Sequence, residues 1–234
     1  MVPHIYIIDG NIGCGKSTLL RNISNRYKND CSVVVLVEPI HIWKQFHGED
    51  LLEACLSSTA SSSDILRLQL CILKTRMEQL TREFDSDVKV IFVERSIITD
   101  HLCFTLNHKL SGRMSMADYS IYEYMWGQCV QQFHKMLKFV GEILMEYPPN
   151  IHILYLKCDP SVCLQRMKIR GRPQERTVSK DYIEKLNELY DDHFNHLSNL
   201  VKCKLLIEVS LAIVDTGEHS ALELFERVKF FYEI

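Results

Sequence analysis

The sequence predicts an α/β fold built on a five-stranded parallel sheet with helices on both faces. Three observations predict it. Five short apolar runs recur along the 234 residues, and unbroken apolar runs suit parallel strands buried on both faces. Segments of helical character separate them, the alternation of a doubly wound sheet. A glycine-rich turn joins the first run to the first helix, at the sheet edge where such folds bind anions.

The first strand is expected over His4–Asp9. Next comes Gly10-Asn11-Ile12-Gly13-Cys14-Gly15-Lys16-Ser17-Thr18, which fits G-x-x-x-x-G-K-[ST] between a strand and a helix. That context makes it a phosphate-binding loop: backbone N–H groups cradle phosphates, Lys16 reaches the β- and γ-phosphates, and Ser17 holds Mg²⁺. The first helix is expected over about 17–28 and the second strand over Ser32–Glu38. Ser57–Ser63 is the one low-complexity stretch and reads as a mobile loop. A helix over about 64–83 follows, with Asp64 as its N-cap, and then a third strand, Lys89–Glu94. A long helix over about 116–147 stops at Pro148-Pro149. The fourth strand is Ile151–Lys157, after which Asp159-Pro160 supplies an N-cap and a first-turn proline. A helix over about 179–199, a fifth strand over Lys204–Ser210 and a helix over about 220–232 complete the chain. No linker or repeat divides it, so residues 1–234 are expected to form one domain.

Bulk properties exclude several classes. A net charge of −3 gives no general attraction to nucleic acid or anionic membrane. No apolar stretch reaches membrane-span length, and Met1 lies too close to the first strand to leave room for a cleavable leader, so a cytoplasmic address is expected. The nine cysteines are scattered and odd in number, and none shows zinc-ligand spacing. They are expected to be free thiols, mostly acting as small hydrophobes. Cys14 lies within the phosphate loop, and its side chain is expected to point away from the phosphates.

A triphosphate site needs an acceptor. The base-reading N-K-x-D of G proteins is absent, and no basic or aromatic-rich segment suggests a helicase. Strand ends carry Asp9, Glu38 and Glu94, and Arg166, Arg170, Arg172 and Arg176 lie within eleven residues. Gln69 and Arg76, seven residues apart, share a helix face. Each has a plain alternative: a strand-end acid for Glu38, a structural ion pair for Glu94 and Arg95, a basic surface loop for the arginines, an exposed polar face for Gln69 and Arg76. Core packing is likewise an alternative for the apolar candidates Ile12, Ile40, Trp43, Leu68 and Phe104.

Taken together, GNIGCGKST, Glu38-Pro39 with Trp43 five residues after the Glu, Glu94-Arg95-Ser96 with Asp100 beyond, and Arg170-Gly171-Arg172 before an acidic residue resemble the deoxyribonucleoside kinase family over about residues 4–195. The resemblance implies a P-loop kinase fold with a lid over about 166–176, ATP as phosphate donor, Mg²⁺, and a homodimer formed through the helices near 64–83 and 116–147. It implies that Glu38 is the general base toward a nucleoside 5′-OH and that Arg95 orients that hydroxyl. Glu94 helps Ser17 hold Mg²⁺, and Arg166, Arg170 and Arg172 close on the phosphates. Gln69 reads the base edge, Arg76 pairs with Asp100 to accept an exocyclic amine, Phe104 stacks on the base, and Ile12, Ile40, Trp43 and Leu68 line the pocket. Glu175 binds the sugar 3′-OH. The chain departs from the pattern at Ser58, where the family's tyrosine partner for that hydroxyl falls, and at Leu68, usually Phe. The Arg76–Asp100 pair implies deoxycytidine or a purine deoxynucleoside rather than thymidine, a thymidine or broad-specificity deoxynucleoside kinase being the alternative within the family, with no nucleic acid or membrane partner. A thymidylate-type monophosphate kinase is a weaker reading, because Val37 stands where that class needs an arginine. A catalytically silent nucleotide-binding protein is a third, for which the base and arginine beside the acceptor would have no use.

Overall fold

A computed structural model gives the fold and describes residues 4–82, 84–144, 151–202, 209–217, 223 and 226, with backbone alone for 133–144. Five parallel strands form one sheet in the order β2-β3-β1-β4-β5: β1 (His4–Asp9), β2 (Val33–Leu36), β3 (Val90–Glu94), β4 (Ile151–Lys157) and β5 (Val209–Asp215). The helices between them are α1 (Lys16–Arg26), α2 (Ile40–Lys44), α3 (Leu51–Leu56), α4 (Ser62–Thr81), α5 (Ile97–Thr99), α6 (Leu106–Leu110), α7 (Met116–Leu144), α8 (Pro160–Arg170) and α9 (Lys180–Lys202).

Alternation along the strands divides the core between the two faces of the sheet. Tyr6, Ile8, Phe92, Leu154 and Leu156 pack on one face against Leu19, Leu20 and Ile23 of α1 and Met167 of α8. On the opposite face, Ile153 and Tyr155 meet Leu186, Tyr190 and Phe194 of α9, and Ile5, Ile91 and Val93 meet Leu80 of α4. Both faces are therefore apolar, which is why the strands read as continuous hydrophobic runs.

Strands β1 and β3 are neighbours, and the chain leaves them for opposite sides of the sheet, toward β2 and β4 respectively. The crevice between their carboxyl ends is the topological switch point. Glycines fit the loop after β1 into that crevice. Gly10 has φ 143°, and a Cβ there would lie 2.6 Å from the Leu156 carbonyl oxygen. Gly13 has φ 83°, and a Cβ would lie 2.5 Å from the Cys163 carbonyl oxygen.

Several sequence expectations are corrected. Ser61, not Asp64, is the N-cap of α4: Asp64 is the third helical residue and completes a capping box, with reciprocal bonds of 2.9 and 3.1 Å to Ser61. Ser57–Ser63 is accordingly not a loop throughout, since its last residues cap and open that helix. The fifth strand runs to Asp215 rather than ending at Ser210, and residues 204–208 of the expected strand lie outside the described ones. Residue 83, residues 145–149, Cys203 and all of 220–232 but 223 and 226 also lie outside them. The eight described cysteines are free thiols. Among the described residues no helix is long and apolar enough to cross a membrane.

Candidate active site

The loop after β1 wraps its own lysine. Lys16 begins α1 and is buried, with Nζ donating to the carbonyls of Gly10 at 2.9 Å and Asn11 at 2.7 Å. The N-cap, Gly15, is left-handed at φ 111° and has no side chain to block the first turn of α1. Its N–H groups and dipole therefore face the crevice, as anion binding requires. Cys14 is fully buried, its sulfur 3.6 Å from Lys16 Nζ.

Next to this loop Ser17 donates from Oγ to Glu94 Oε1 at 2.8 Å. A hydroxyl and a carboxylate side by side, at the foot of a phosphate loop, are hard oxygen donors that fit Mg²⁺, which keeps most of its shell for water and phosphate. Among the described residues there is no cluster of three or more His, Cys, Asp or Glu side chains to make an all-protein cage.

Arg95 follows β3 with φ 65°, a left-handed conformation that is strained for a residue with a Cβ. Its backbone N–H bonds to Ile8 O at 2.9 Å, and its side chain is fixed at every nitrogen. Nη1 donates to Glu38 Oε1 at 2.5 Å, Nε to the Tyr190 hydroxyl at 3.2 Å and Nη2 to Gly10 O at 3.4 Å. Tyr190 in turn donates to Asp9 Oδ1 at 3.1 Å, and the Arg95 guanidinium lies 4.7 Å from the centre of the Phe104 ring. The strain thus aims one guanidinium at Glu38.

Arg76 reaches the same carboxylate from α4. Its Nη2 donates to Glu38 Oε1 at 2.7 Å and to Asp100 Oδ1 at 3.1 Å, its Nε to Asp100 Oδ2, and its Nη1 to the Glu94 carbonyl at 2.6 Å. Gln69 and Arg76 are buried, at 3% and 2% exposure, so the exposed polar face that the sequence allowed is excluded. Gln69 Oε1 accepts from the Thr105 hydroxyl at 3.1 Å. That bond leaves the amide nitrogen of Gln69 pointing to other partners.

Burial works against the charge of Glu38, but Arg95, Arg76 and Lys16 more than offset it and hold the carboxyl at about 2. For Asp100 the balance falls the other way: burial raises it to about 6 despite the Arg76 guanidinium. Glu38 is hence a carboxylate at any working pH, whereas Asp100 titrates close to neutrality.

A cleft of about 760 Å³, counted out to its mouth, joins these groups. Ile12, Lys16, Ser17, Glu38, Ile40, Trp43, Leu68, Gln69, Arg76, Glu94, Arg95, Asp100, Phe104, Arg170, Arg172 and Glu175 all line it. That size, with apolar walls beside a cluster of charged and polar groups, suits a small polar organic ligand. Ile40 and Leu68 serve both as wall and as core. Trp43 is anchored by its indole N–H to Thr75 Oγ1 at 3.1 Å. Glu175 is held by Arg170 at 2.6 Å and Arg172 at 3.2 Å.

Arg166, an expected member, and Ser58, the position where the family's tyrosine falls, stand apart. Arg166 does not line the cleft: it donates to Thr216 O at 2.7 Å and Cys14 O at 3.4 Å, fastening the outer side of the phosphate loop to the end of β5. Ser58 lines a separate hollow with Arg113 and Tyr182. Sequence reasoning missed His108, Tyr182, Cys55, Leu52, Leu56 and Ile72 as lining residues. His108, four residues after Phe104, and Ile72, four residues after Leu68 on the face of Gln69 and Arg76, carried a periodicity signal; the others are brought in by tertiary packing alone.

A phosphate loop opening onto a cleft with its own carboxylate and guanidinium defines a small-molecule phosphotransferase. The deoxynucleoside kinase family model matches residues 6–232. The chain belongs to the deoxynucleoside kinase family and is, with it, an ATP-dependent phosphotransferase. It is 27% identical to rat deoxycytidine kinase, over 96% of this chain and 89% of that protein. It is equally 27% identical to human mitochondrial thymidine kinase 2, over 95% of this chain and 75% of that protein, and 24% identical to chicken deoxycytidine kinase 2, over 90% and 81%.

Proposed function

We propose that this enzyme transfers the γ-phosphoryl group of ATP to the 5′-OH of a deoxyribonucleoside, preferring deoxycytidine or a purine deoxynucleoside over thymidine. The observation that carries this reading is the Glu38–Arg76–Asp100 chain in one cleft with the phosphate loop. Residues 10–18, with Lys16 foremost, would hold the donor phosphates, and Ser17 and Glu94 would hold Mg²⁺, which neutralises charge as the phosphoryl group moves. Arg170 and Arg172 lie near enough to join them on closure.

Glu38 and Arg95 set the acceptor hydroxyl. At about 2, the carboxyl of Glu38 is too acidic for early proton removal. It accepts the hydroxyl hydrogen bond, aligns the oxygen, and takes the proton late in a loose transfer. Asp100 accepts from an exocyclic amine, Gln69 donates to the base edge, and Phe104 supplies a stacking face. Thymine would turn a carbonyl toward the Asp100 carboxylate, a buried mismatch costing about 1–3 kcal/mol. The relatives include enzymes named for both pyrimidines, so the preference rests on Asp100 and Arg76 rather than on similarity.

A homodimer fits the exposed apolar side chains Ile121, Tyr124 and Met125 on α7. A single-domain enzyme with a cytoplasmic address completes the reading; equilibrium sedimentation and cell fractionation test these last points. The decisive assay is phosphorylation of deoxycytidine, deoxyadenosine, deoxyguanosine and thymidine with ATP and Mg²⁺. The highest kcat/KM should fall on one of the first three, and thymidine as the best acceptor would refute the preference.

A further inference from the structure

Among the described residues four buried side-chain atoms have no hydrogen-bond partner: Nδ1 of His101, Nδ1 of His108, the Tyr122 hydroxyl and Oδ1 of Asn187. Only His108 belongs to a residue that lines the acceptor cleft. An unmade bond on a buried polar group is costly to the fold and calls for an explanation. Here the cleft borders His108, and a ligand filling it can provide the missing partner once the ring turns Nδ1, buried without a ligand, to the cleft surface.

The surroundings of His108 fix its chemistry. Burial and the charge of Arg113 push the imidazole down to about 3, so the ring is neutral. On its other side Nε2 lies 4.0 Å from the Cys55 sulfur, and burial raises that thiol to about 12, keeping it S–H. With the thiol as donor to Nε2, the ring hydrogen sits on Nδ1, and Nδ1 is a donor in search of an oxygen.

Position narrows which oxygen. Glu38 and Arg95 occupy the transfer end of the cleft, and Gln69, Arg76 and Asp100 hold the groups assigned to the base. The His108 ring hydrogen-bonds to neither set. Its neighbours are Cys55 on α3 and Tyr182 on α9, with ring centres 5.7 Å apart for the tyrosine. Helix α3 is strapped to the turn that carries Glu175, by Gln174 to Asp50 at 2.9 Å and by Thr177 to Leu56 O at 2.7 Å. The wall containing His108 is thus continuous, through α3, with the wall containing Glu175.

We propose that His108 is a specificity-determining residue of the acceptor site, donating a hydrogen bond from Nδ1 to the 3′-hydroxyl of the acceptor sugar. This rests on the deoxynucleoside kinase reading of the cleft. A ligand hydroxyl suits the arrangement because it can accept from the neutral imidazole and donate to a carboxylate such as Glu175 in the same contact.

The test compares the best deoxynucleoside with its 3′-deoxy analogue, with ATP and Mg²⁺, in wild type, His108→Leu and His108→Asn. The measured quantity is the ratio of kcat/KM for the two acceptors. His108→Leu should shrink that ratio by about tenfold, the worth of one hydrogen bond, chiefly through KM. His108→Asn, whose amide nitrogen reaches the place of Nδ1, should keep most of it. Neither variant should melt below wild type by more than a few degrees, because Nδ1 has no protein partner to lose and Nε2 loses only a long contact with the Cys55 sulfur. If His108→Leu does not fold, His108→Met fills the ring's volume without a donor and carries the same test. An unchanged ratio in the apolar variant, or equal losses on both acceptors, overturns the role of His108 while leaving the kinase intact. A wild-type enzyme that phosphorylates no deoxynucleoside overturns both.

Discussion

Arg76 donates to Glu38 Oε1 at 2.7 Å while the same guanidinium grips Asp100 with two nitrogens. The group beside the transfer centre and the group proposed to read the base are therefore held by one buried cation. On that proposal, a base that settles Asp100 also settles Arg76, and through it Glu38. Recognition and positioning share a side chain.

Removing that cation should be expensive. Arg76→Met leaves Glu38 and Asp100 buried with less compensation, and loss of one partner of such a set costs about 3–5 kcal/mol. Urea unfolding should show that drop. The double variant Arg76→Met/Asp100→Leu should recover part of it, a coupling that two independent residues would not give.

Asp100→Asn should blur base selection. An amide can donate to a carbonyl as well as accept from an amine, so the preference for deoxycytidine over thymidine should narrow by about tenfold. Steady-state kinetics on the two acceptors measures it, and an unchanged ratio would remove Asp100 from base reading.

The pH profile should separate the two carboxylates. Asp100 is raised to about 6, so its acceptor form is lost as pH falls through that value; kcat/KM on an amine-bearing base should be about tenfold lower at pH 5. Glu38, at about 2, stays ionised over that range and adds no limb. In Asp100→Asn the limb near 6 should vanish. The stability signs are opposite. Glu38 is depressed on folding, so its contribution is full above its unfolded value and is lost as pH falls toward 2. Asp100 is raised, so its stability term is complete below its unfolded value and is lost as pH rises through about 6.

Gly13→Ala should damage the donor half. Its φ of 83° costs a residue with a Cβ about 1–3 kcal/mol, and the methyl would press on the Cys163 carbonyl. Thermal melts should show a lower midpoint, and the upward shift produced by ATP with Mg²⁺ should largely disappear.

Much of this was legible in the chain. The β-strand runs are local and apolar on both faces, so β1 and β4 fall where the pattern puts them. The phosphate loop is contiguous, and its glycines meet a local geometric need. What stayed hidden depends on distant contacts. Helices α2 and α3 are too short for a periodic signal, yet they bring Trp43 and Cys55 to the cleft. The bridge from Arg76 to Glu38 spans 38 residues of sequence, and no spacing rule encodes it. Arg166 shares a basic cluster with Arg170 and Arg172, but helix α8 turns it toward Thr216 instead of the cleft. The cap of α4 lies one turn before Asp64: Ser61 and Asp64 are both good capping residues, and only their reciprocal bonds decide between them.

On the proposed function, Glu38 positions the acceptor hydroxyl for a phosphoryl group held by the loop of residues 10–18. Single-turnover phosphorylation of deoxycytidine by Glu38→Gln tests it most directly, alongside equilibrium binding of ATP and acceptor. Transfer should slow by about a hundredfold or more while both ligands bind nearly as in wild type. Transfer within about threefold of wild type, with the phosphorylated product still formed, would contradict it.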